Sequence, residues 1–212
     1  MSEIATYILG AGGHAKVLLE SLMQDPTIKV LGFFEVNDQL IGGKLLDLPI
    51  DHENNITKLH PMKTLLVNGI GSIEQSSNRA KQFDRYKKCG FRFHTVQHPT
   101  SYIAHEVIIG EGVQLMARST VMIGSKIGDN AIINTAASVD HDCDIGKHVH
   151  IGPGAVLSGS VTVGDYTHIG IGASIIQGIK IGKNVLIAAG AVVVTDIPDN
   201  MRVAGIPAKV ME

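Results

Sequence analysis

Residues 127–152 read IGDNAIINTAASVDHDCDIGKHVHIG, and an aliphatic residue recurs in them at every sixth position. The same step continues in both directions along the chain. Counting by six from Ile103 to Val193 gives sixteen positions, and all of them hold Ile, Val or Leu. The residues four positions after these are small or β-branched throughout. An unbroken hexapeptide period is typical of a parallel β-helix.

This repeat predicts the shape of the C-terminal half. Each hexad would supply one flat face and one corner of a triangular prism, with the aliphatic residue pointing inward and the small residue allowing the corner to turn. The repeat runs from 103 to 197 without an insertion, so the β-helix offers no long loop to cover a site. A substrate would then have to be held by another part of the chain.

The first hundred residues have a different pattern, in which short apolar runs alternate with segments whose apolar residues have helical spacing. The pattern predicts a parallel sheet built from βαβ units, a Rossmann-like half-domain. His98-Pro99 ends it, because proline is a poor continuation of either a helix or a strand. We therefore expect an α/β domain at 1–98 and a β-helix domain at 99–212. The predicted strands are Tyr7–Leu9, Val30–Phe34, Leu65–Val67 and Phe91–Val96, and the predicted helices are Ala15–Met23 and Ile73–Lys88.

A glycine-rich stretch, Gly10-Ala11-Gly12-Gly13-His14-Ala15, lies between the first predicted strand and the first predicted helix. It fits G-x-G-x-x-(G/A), and Glu35 ends the next strand twenty residues after Ala15. In that context the glycines let a phosphate approach the backbone and rest on the helix N-terminus. A full dinucleotide fold needs two mononucleotide halves, and only about one fits before residue 100. The loop therefore favours one nucleoside diphosphate, such as that of a nucleotide sugar, over NAD, with a plain tight turn as the alternative.

The composition excludes several function classes. The formal net charge is −2, which gives no electrostatic footprint for nucleic acid or an anionic membrane. The two cysteines, Cys89 and Cys143, make no disulfide framework, and Cys143 falls at a small inward position where we expect core packing. The N-terminus lacks the features of a secretory signal, and no stretch approaches the ~18 uninterrupted apolar residues of a membrane span. We expect a reduced, cytoplasmic protein without membrane insertion.

The repeat and its tail resemble the hexapeptide-repeat acyltransferases, which form left-handed helices with three hexads per coil. The tail segments that carry this resemblance are Ala188–Val193 and Val203–Lys209. With the glycine loop added, the whole chain resembles a family of bacterial nucleotide-sugar acetyltransferases. That family includes bacillosamine-pathway UDP-4-amino-sugar and GDP-perosamine N-acetyltransferases and the sialic acid O-acetyltransferases. The motifs behind the resemblance are Gly10–Lys16, Gly69–Gly71, Ile133–Thr135 and Val139–Cys143.

The resemblance implies an acetyl-CoA-dependent N-acetyltransferase acting on the 4-amino group of a UDP-linked amino-trideoxy sugar of the bacillosamine type. The α/β domain would hold the nucleotide sugar, acetyl-CoA would lie between adjacent β-helices of a homotrimer, and no metal is expected. By position in the family's motifs, His141 is the general base and Asp142 the acidic residue that orients it. The other residues that it implies are Gly12, Gly13, His14, Glu35, Gly71 and Asn134 for the sugar nucleotide, and His150, Gly159, Ile171 and Ala189 for acetyl-CoA.

Histidine suits this chemistry, because it titrates near neutral pH and a positioned base must take a proton from the attacking amine. Both Asp140 and Asp142 flank His141. Neighbours on an extended strand point to opposite faces, so an aspartate reaches the ring only at a corner, and the family points to Asp142. His150 or a backbone N–H near Gly159 could meet the developing oxyanion. With eighteen residues per coil, Gly159 follows His141 by one coil, which would leave room for the pantetheine arm.

Alternatives remain at two levels. UDP-specific members of the family often have two acidic residues where this chain has Glu35-Val36, which leaves the identity of the base open. GDP-perosamine is a second acceptor, because the loop from Gly12 to Lys16 and the run from Val139 to Cys143 are at least as similar to that branch, and sialic acid O-acetylation is a third. Outside the class, His141, His148, His150 and His168 could supply zinc ligands in a β-helix hydro-lyase. A non-catalytic nucleotide-sugar binder would keep the fold without turnover. Considered singly, His148 is expected to be solvated, whereas His150 and His168, one coil apart, are expected to stack.

Overall fold

The structure is a computed structural model that describes residues 4–71 and 77–211. Its N-terminal sheet consists of β1 (Ala5–Leu9), β2 (Val30–Glu35), β3 (Lys44–Leu45), β4 (Leu48–His52), β5 (Thr64–Asn68) and β6 (Arg92–Phe93). The strands lie in the order β3-β4-β2-β1-β5-β6, and every neighbouring pair is parallel except the β3–β4 hairpin at one edge. The connections include α1 (Gly13–Met23), α2 (Ser77–Lys88) and the 3₁₀ turns Glu53–Lys58 and Pro61–Lys63.

The sequence-based predictions hold for the centre of this sheet and fail at its ends. The first three predicted strands and the first helix are confirmed. The predicted single strand Phe91–Val96 is wrong: β6 pairs with β5, whereas Val96–Gln97 pairs with a strand of the β-helix. The chain changes sheets here because Phe93 packs in the α/β core while Val96 packs beneath α1. Of the helix predicted from Ile73, residues 73–76 lie outside the described part, and α2 begins at Ser77.

The C-terminal half is a left-handed parallel β-helix, as predicted. Strands eighteen residues apart pair in register, so that Gln114 lies beside Ile132 and each coil holds three hexads. The coils stack into three sheets, which we call faces A, B and C. Face A holds Val96–Gln97, Gln114–Leu115, Ile132–Ile133, His150–Ile151, His168–Ile169, Leu186–Ile187, Arg202–Ala204 and Lys209–Val210. Face B holds Tyr102–Ile103, Thr120–Val121, Ser138–Val139, Val156–Leu157, Ser174–Ile175 and Val192–Val193. Face C holds Ile108–Ile109, Lys126–Ile127, Asp144–Ile145, Thr162–Val163 and Lys180–Ile181.

The corners of the prism turn at a residue that the sequence did not single out. The aliphatic and small positions both point into one continuous core, as expected. The turn itself is made by the third residue after each aliphatic, which has a left-handed backbone from Glu106 to Gly190 at every sixth position. Nine of these fifteen corners carry a side chain, including Asp142 at φ 58°. The prediction that the small residue turns the corner is therefore wrong, since that residue fills the core instead.

The repeat loses two residues in its last coil. Ile197 bridges to Ile181 and Leu186 pairs with Arg202, in both cases sixteen residues apart, where the earlier coils use eighteen. Ile197 thus takes the place of an aliphatic position and not of the small position that simple counting assigned to it. Register arguments from the sequence consequently hold up to Val193 and not beyond it.

The α/β domain rests on face A. Leu18 and Leu22 of α1 pack in one core cluster with Met116 and Ile132, which lie at the start of this face. On the other side of the domain α2 covers a corner of the prism, where the Lys87 ammonium pairs with the Glu111 carboxylate at 2.5 Å. This docking places the carboxyl ends of β1 and β5 next to the outer surface of face A.

Candidate active site

A cavity of about 930 Å³ lies where the α/β domain meets face A. The carboxyl ends of β1, β2 and β5 open into it, which is where open α/β sheets bind their ligands. From the N-terminal domain it is lined by Leu9, Gly10, Gly12, Gly13, His14, Val17, Phe34, Glu35, Val36, Glu53, Gly69, Ile70, Gly71, Asn78, Lys81 and Gln82. Face A and its corner contribute Met116, Asn134, Thr135 and His150.

The glycine loop follows β1 and is held from both sides. Gly10 has a φ of +84°, and its N–H donates to the Phe34 carbonyl at 2.7 Å. Glu35 holds the next residue, because its Oε2 accepts the Ala11 N–H at 2.8 Å. On the opposite side, a Cβ at Gly69 would lie 2.7 Å from the Leu9 carbonyl, so only glycine permits this approach.

The resemblance implies that Glu35 contacts the sugar nucleotide. In the structure its carboxylate also accepts hydrogen bonds from the main chain. Oε1 accepts the main-chain N–H groups of Val36 and Asn37 at 2.8 and 3.1 Å, while Oε2 accepts that of Ala11. Three charge-assisted bonds therefore fix the carboxylate at the mouth of the loop. Glu35 lines the cavity and at the same time shapes the loop that forms its floor.

The N-terminus of α1 opens into this cavity and suits an anion. Its N-cap is Gly12, which makes no side-chain cap bond, and its first turn holds no acidic residue. The first helical N–H groups and the helix dipole therefore remain available to a phosphate. Lys81 of α2 lines the same cavity and adds a positive charge. Lys16, at the end of the glycine-loop motif, is exposed and is not among the described residues that line the cavity.

His14 lies in the first turn of α1, on the cavity wall. Its Nε2 is 2.7 Å from Oε1 of Gln114, a residue of face A. Burial and the charge of Arg79 lower the pKa of His14 from 6.5 to about 4, although the bond to Gln114 acts in the opposite direction. The imidazole is therefore neutral over the physiological range.

The β-helix side of the cavity leads into a second depression. Asn134 accepts the Thr135 N–H at 2.8 Å, and its Nδ2 lies 2.9 Å from Nε2 of His150. Alone among the described residues, His150 lines both the cavity and a groove of about 310 Å³ that continues along face A. Ile171 and Ala189 line this groove as well. The rings of His150 and His168 meet edge to face at 4.7 Å and are not stacked as predicted.

His141 and Asp142 form a pair at the corner between faces B and C. Nδ1 of His141 is 2.8 Å from Oδ2 of Asp142, whereas Asp140 accepts the main-chain N–H of His141 at 2.7 Å. The left-handed turn at Asp142 brings its carboxylate back to the preceding ring. That bond comes first among the causes that raise the pKa of His141, and the charge of Asp140 adds to it.

Two glycines of neighbouring coils make space for this pair. A Cβ at Gly159 would lie 2.5 Å from the His141 ring, and a Cβ at Gly124 would collide with the Asp142 carboxylate. The sequence placed Gly159 one coil after His141, and the structure agrees. The space above Gly159 is nevertheless filled by the imidazole itself and is not left open. The two glycines therefore fix where the ring stands.

The structure divides the predicted site residues into three groups. All six residues predicted to bind the sugar nucleotide line the large cavity, and three of the four predicted for acetyl-CoA line the groove. His141, Asp142 and Gly159 lie apart, since among the described residues they line neither space. Sequence reasoning missed Asn78, Lys81 and Gln82, whose i, i+3, i+4 spacing places them on one face of α2.

The prediction that His148 is solvated is wrong, since its exposed fraction is 5%. Its ring stacks on Tyr166 at 4.9 Å, meets Phe83 edge-on at 5.6 Å and lies 2.9 Å from the Asn130 amide. The helix α2 covers this corner of the β-helix, which the period of the repeat alone could not reveal. Burial lowers the pKa of His148.

Two further findings concern metals and membranes. In 4–71 and 77–211 no three His, Cys, Asp or Glu side chains come together as a group that could hold a metal ion. Within the same ranges, no helix combines the length and the apolar character needed to cross a bilayer.

The comparisons with known proteins agree with this geometry. Residues 6–86 match the PglD N-terminal domain, residues 124–159 and 160–195 the bacterial transferase hexapeptide, and residues 106–140 the hexapeptide repeat of succinyl-transferase. No curated protein matches the chain. Among solved structures, PerB from Caulobacter crescentus, in complex with CoA and GDP-perosamine, is 35% identical with a TM-score of 0.90. The alignment covers 98% of this chain and 97% of that one.

The chain belongs to the hexapeptide-repeat sugar acetyltransferases. It is therefore an acyltransferase, which confirms the enzyme class predicted from the sequence. Two further relatives share the whole fold. The acetyltransferase domain of PglB from Neisseria gonorrhoeae, in complex with acetyl coenzyme A, is 35% identical with a TM-score of 0.90, and the alignment covers 98% of this chain and 99% of that one. WeeI from Acinetobacter baumannii is 30% identical with a TM-score of 0.88, over 98% and 99% of the two chains.

Proposed function

We propose that this acetyltransferase moves an acetyl group from acetyl-CoA to the 4-amino group of a nucleotide-linked amino sugar. The observation that carries the proposal is the cavity between the α/β domain and face A. It joins the N-terminus of α1, which suits a diphosphate, to Asn134 and His150 on the acyl-transfer side. A non-catalytic binder would not need this continuity with a second groove.

The groove beyond His150 suits acetyl-CoA. Its lining includes the small residues Gly152, Gly170, Ala188 and Ala189 together with Pro153. A pantetheine arm is a narrow, extended chain with two amide groups, and small lining residues leave room for it. The relatives bound to CoA or acetyl-CoA support this use of the fold. A thioester delivered along the groove would reach His150 at the entrance to the sugar cavity.

The chemistry needs a base and little else. The neutral sugar amine attacks the thioester carbonyl carbon, a C–N bond forms, and the tetrahedral intermediate collapses with loss of the C–S bond. His141 takes the proton of the amine and can return it to the leaving thiolate, so that free CoA and the amide result. Asp142 fixes the ring and favours the imidazolium that develops, which agrees with the raised pKa of His141.

We infer that the complete site needs two subunits of a homotrimer. His141 and Asp142 leave 46% and 66% of their side-chain surface exposed, and they lie at a different corner of the prism from Asn134 and Thr135, which line the cavity. Exposed apolar side chains such as Ile123, Ile171 and Ile176 occur on the outside of the β-helix. A neighbouring β-helix that covered them would bring one subunit's base to the cavity of another.

For the acceptor, a UDP-linked 4-amino-trideoxy sugar of the bacillosamine type is our first choice. GDP-perosamine is the second, because the Caulobacter enzyme bound to it is as similar to this chain as the Neisseria domain is. The carboxylate of Glu35 already accepts three main-chain N–H groups, so the recognition of the base falls mainly to other residues that line the cavity, such as Val36 and Gln82.

A thiol-release assay tests the proposal. The enzyme is given acetyl-CoA with a UDP- or a GDP-linked 4-amino sugar, and His141→Ala is compared with His105→Ala. His105 is an exposed histidine at the same position of the repeat, two coils earlier. Loss of the base should lower kcat at least ~100-fold, while the control stays active. If neither amine releases CoA from the wild-type enzyme, the N-acetyltransferase proposal fails.

Mixing subunits tests the shared site. His141→Ala keeps the cavity, and Gly12→Val keeps the base but fills the cavity floor. If the base acts on a neighbour's cavity, refolded mixtures of two inactive variants should recover about a quarter of the sites, from random assembly. If each chain carries a complete site of its own, the mixtures remain inactive. A mixture of Gly12→Val with Gly13→Val, which both alter the cavity, is the matched negative control.

A further inference from the structure

The β-helix reaches into the nucleotide-binding loop through one side chain. Gln114 belongs to face A, and its exposed fraction is 1%. Its Oε1 lies 2.7 Å from Nε2 of His14, and its Nε2 donates to the Asn68 carbonyl at 2.7 Å. The amide thus connects the first turn of α1 with the end of β5, both of which border the cavity.

The partners of Gln114 determine which way its amide points. The Asn68 carbonyl can only accept a hydrogen bond, so the NH₂ group must face it. The amide oxygen then faces His14, and an amide oxygen also can only accept. The proton of a neutral His14 therefore sits on Nε2, and Nδ1 carries a lone pair.

Arg79 holds the backbone to which Gln114 is bonded. The guanidinium of Arg79, itself 1% exposed, donates to the carbonyls of Asn68 and Ile70 at 2.7 and 2.9 Å. It holds the loop after β5 in place, and its charge acts on His14. The cavity also contains the carboxylate of Glu35 and the ammonium of Lys81. Burial keeps the pKa of His14 at about 4, so the ring stays neutral.

We propose that Gln114 is a positioning residue of the nucleotide-sugar site, which holds His14 as a neutral imidazole with its proton on Nε2. Such a ring cannot neutralise the diphosphate and can accept a hydrogen bond only through Nδ1. It therefore selects a ligand donor, a sugar or ribose hydroxyl or an amine N–H, while the phosphates depend on the α1 N–H groups and Lys81. This inference rests on the proposed function for the identity of the ligand but not for the state of the ring.

The state of the ring can be measured without substrate. In protein labelled with ¹⁵N-histidine, the two ring nitrogens of His14 are assigned by comparison with His14→Gln and followed from pH 5 to 8. We expect one protonated signal from Nε2 and one unprotonated signal from Nδ1 throughout. A proton on Nδ1, or a doubly protonated ring at pH 6, would overturn the proposal whatever the enzyme acetylates.

Kinetics test the role of Gln114. Gln114→Met keeps the length and removes the acceptor, and it should raise KM for the nucleotide sugar about five- to tenfold while KM for acetyl-CoA stays unchanged. Gln97→Met, an exposed position on the neighbouring strand of face A, is the matched control.

Gln114→Glu distinguishes a role of Gln114 in holding His14 neutral from a purely structural role. A carboxylate beside Nε2 favours the imidazolium, so KM for the nucleotide sugar should become pH-dependent between pH 5 and 8, where the wild-type value varies less. Unchanged KM values in both Gln114 variants would contradict the proposal. If Gln114→Met does not fold, the ¹⁵N spectrum of the wild type and the pH dependence of Gln114→Glu decide the question.

Discussion

The two halves of the molecule place their functional groups by different means. In the β-helix, position follows from register: His141, Gly159 and Asp142 stand where the eighteen-residue coil puts them. In the α/β domain, position follows from individual contacts, such as the bonds from Glu35 to Ala11 and from Gln114 to His14. A change of register therefore affects many residues of the β-helix at once, whereas the nucleotide cavity depends on a few specific bonds.

Two histidines show what this difference means for chemistry. His141, on the repeat, is exposed and its pKa is raised by the adjacent Asp142. His14, on the loop, is mostly buried and its pKa is lowered to about 4. The first is suited to take up a proton near neutral pH, and the second to remain neutral. The same type of side chain is thus placed in one domain where its pKa is raised and in the other where its pKa is lowered.

The largest expected effect comes from a glycine that separates two coils. A Cβ at Gly128 would lie 2.6 Å from the Gly146 carbonyl carbon, so Gly128→Val forces adjacent coils apart. We expect a loss of more than about 4 kcal/mol in the free energy of unfolding, measured by denaturant titration. The matched change in the other half is Gly12→Val, since a Cβ at Gly12 meets nothing within 4 Å. Equal stability losses in the two variants would remove the distinction between the halves.

This contrast also explains how far sequence reasoning could go. The fold of the C-terminal half follows from one residue in six, because every coil repeats the same inward position. The corner residues could not be predicted from residue type, because the left-handed turn is made by Glu106, Ala136 or His148 as well as by glycine. The burial of His148 and the bond between Gln114 and His14 depend on how the α/β domain docks, and no period in the chain encodes that contact.

The next effect is on catalysis. In Gly159→Ala the new methyl group would lie 2.5 Å from the His141 ring, which must then move. Because misplacement of a reacting group by about 1 Å can cost about 100-fold, kcat should fall by about that factor. KM for the nucleotide sugar should change little, since Gly159 lies away from the large cavity. Steady-state kinetics check both values, and an unchanged kcat would show that the ring position does not matter for the reaction.

A smaller effect is the loss of folding stability at acid pH. The pKa of His14 is about 4 in the folded chain and 6.5 as the reference value, so the unfolded state binds a proton more readily. Stability is then complete above pH 6.5 and is lost as the pH falls from 6.5 towards 4. Protonation of His14 should therefore lower the free energy of unfolding by about 2 kcal/mol at pH 5. Burial lowers the pKa values of His94 and His148 too, which adds in the same direction.

Denaturant titrations at pH 5 and pH 7 measure this loss. In His14→Gln the difference in the free energy of unfolding between pH 7 and pH 5 should be smaller by the contribution of His14, while the contributions of His94 and His148 remain. His105→Gln, a change at an exposed ring, should keep the full pH dependence. A pH slope that is the same in wild type and His14→Gln would mean that His14 protonates equally in the folded and unfolded chain.

The smallest effect distinguishes the two aspartates beside His141. Asp142→Asn removes the charge bonded to Nδ1 of His141, so the pKa of the ring should fall and the acid limb of the kcat profile should move to lower pH. The plateau should drop about tenfold, because a weaker base takes the proton less readily. Asp140→Asn removes a charge that acts on the ring only from a distance, so it should shift the limb less. A larger shift for Asp140→Asn would make Asp140, and not the residue at the left-handed corner, the partner of the base.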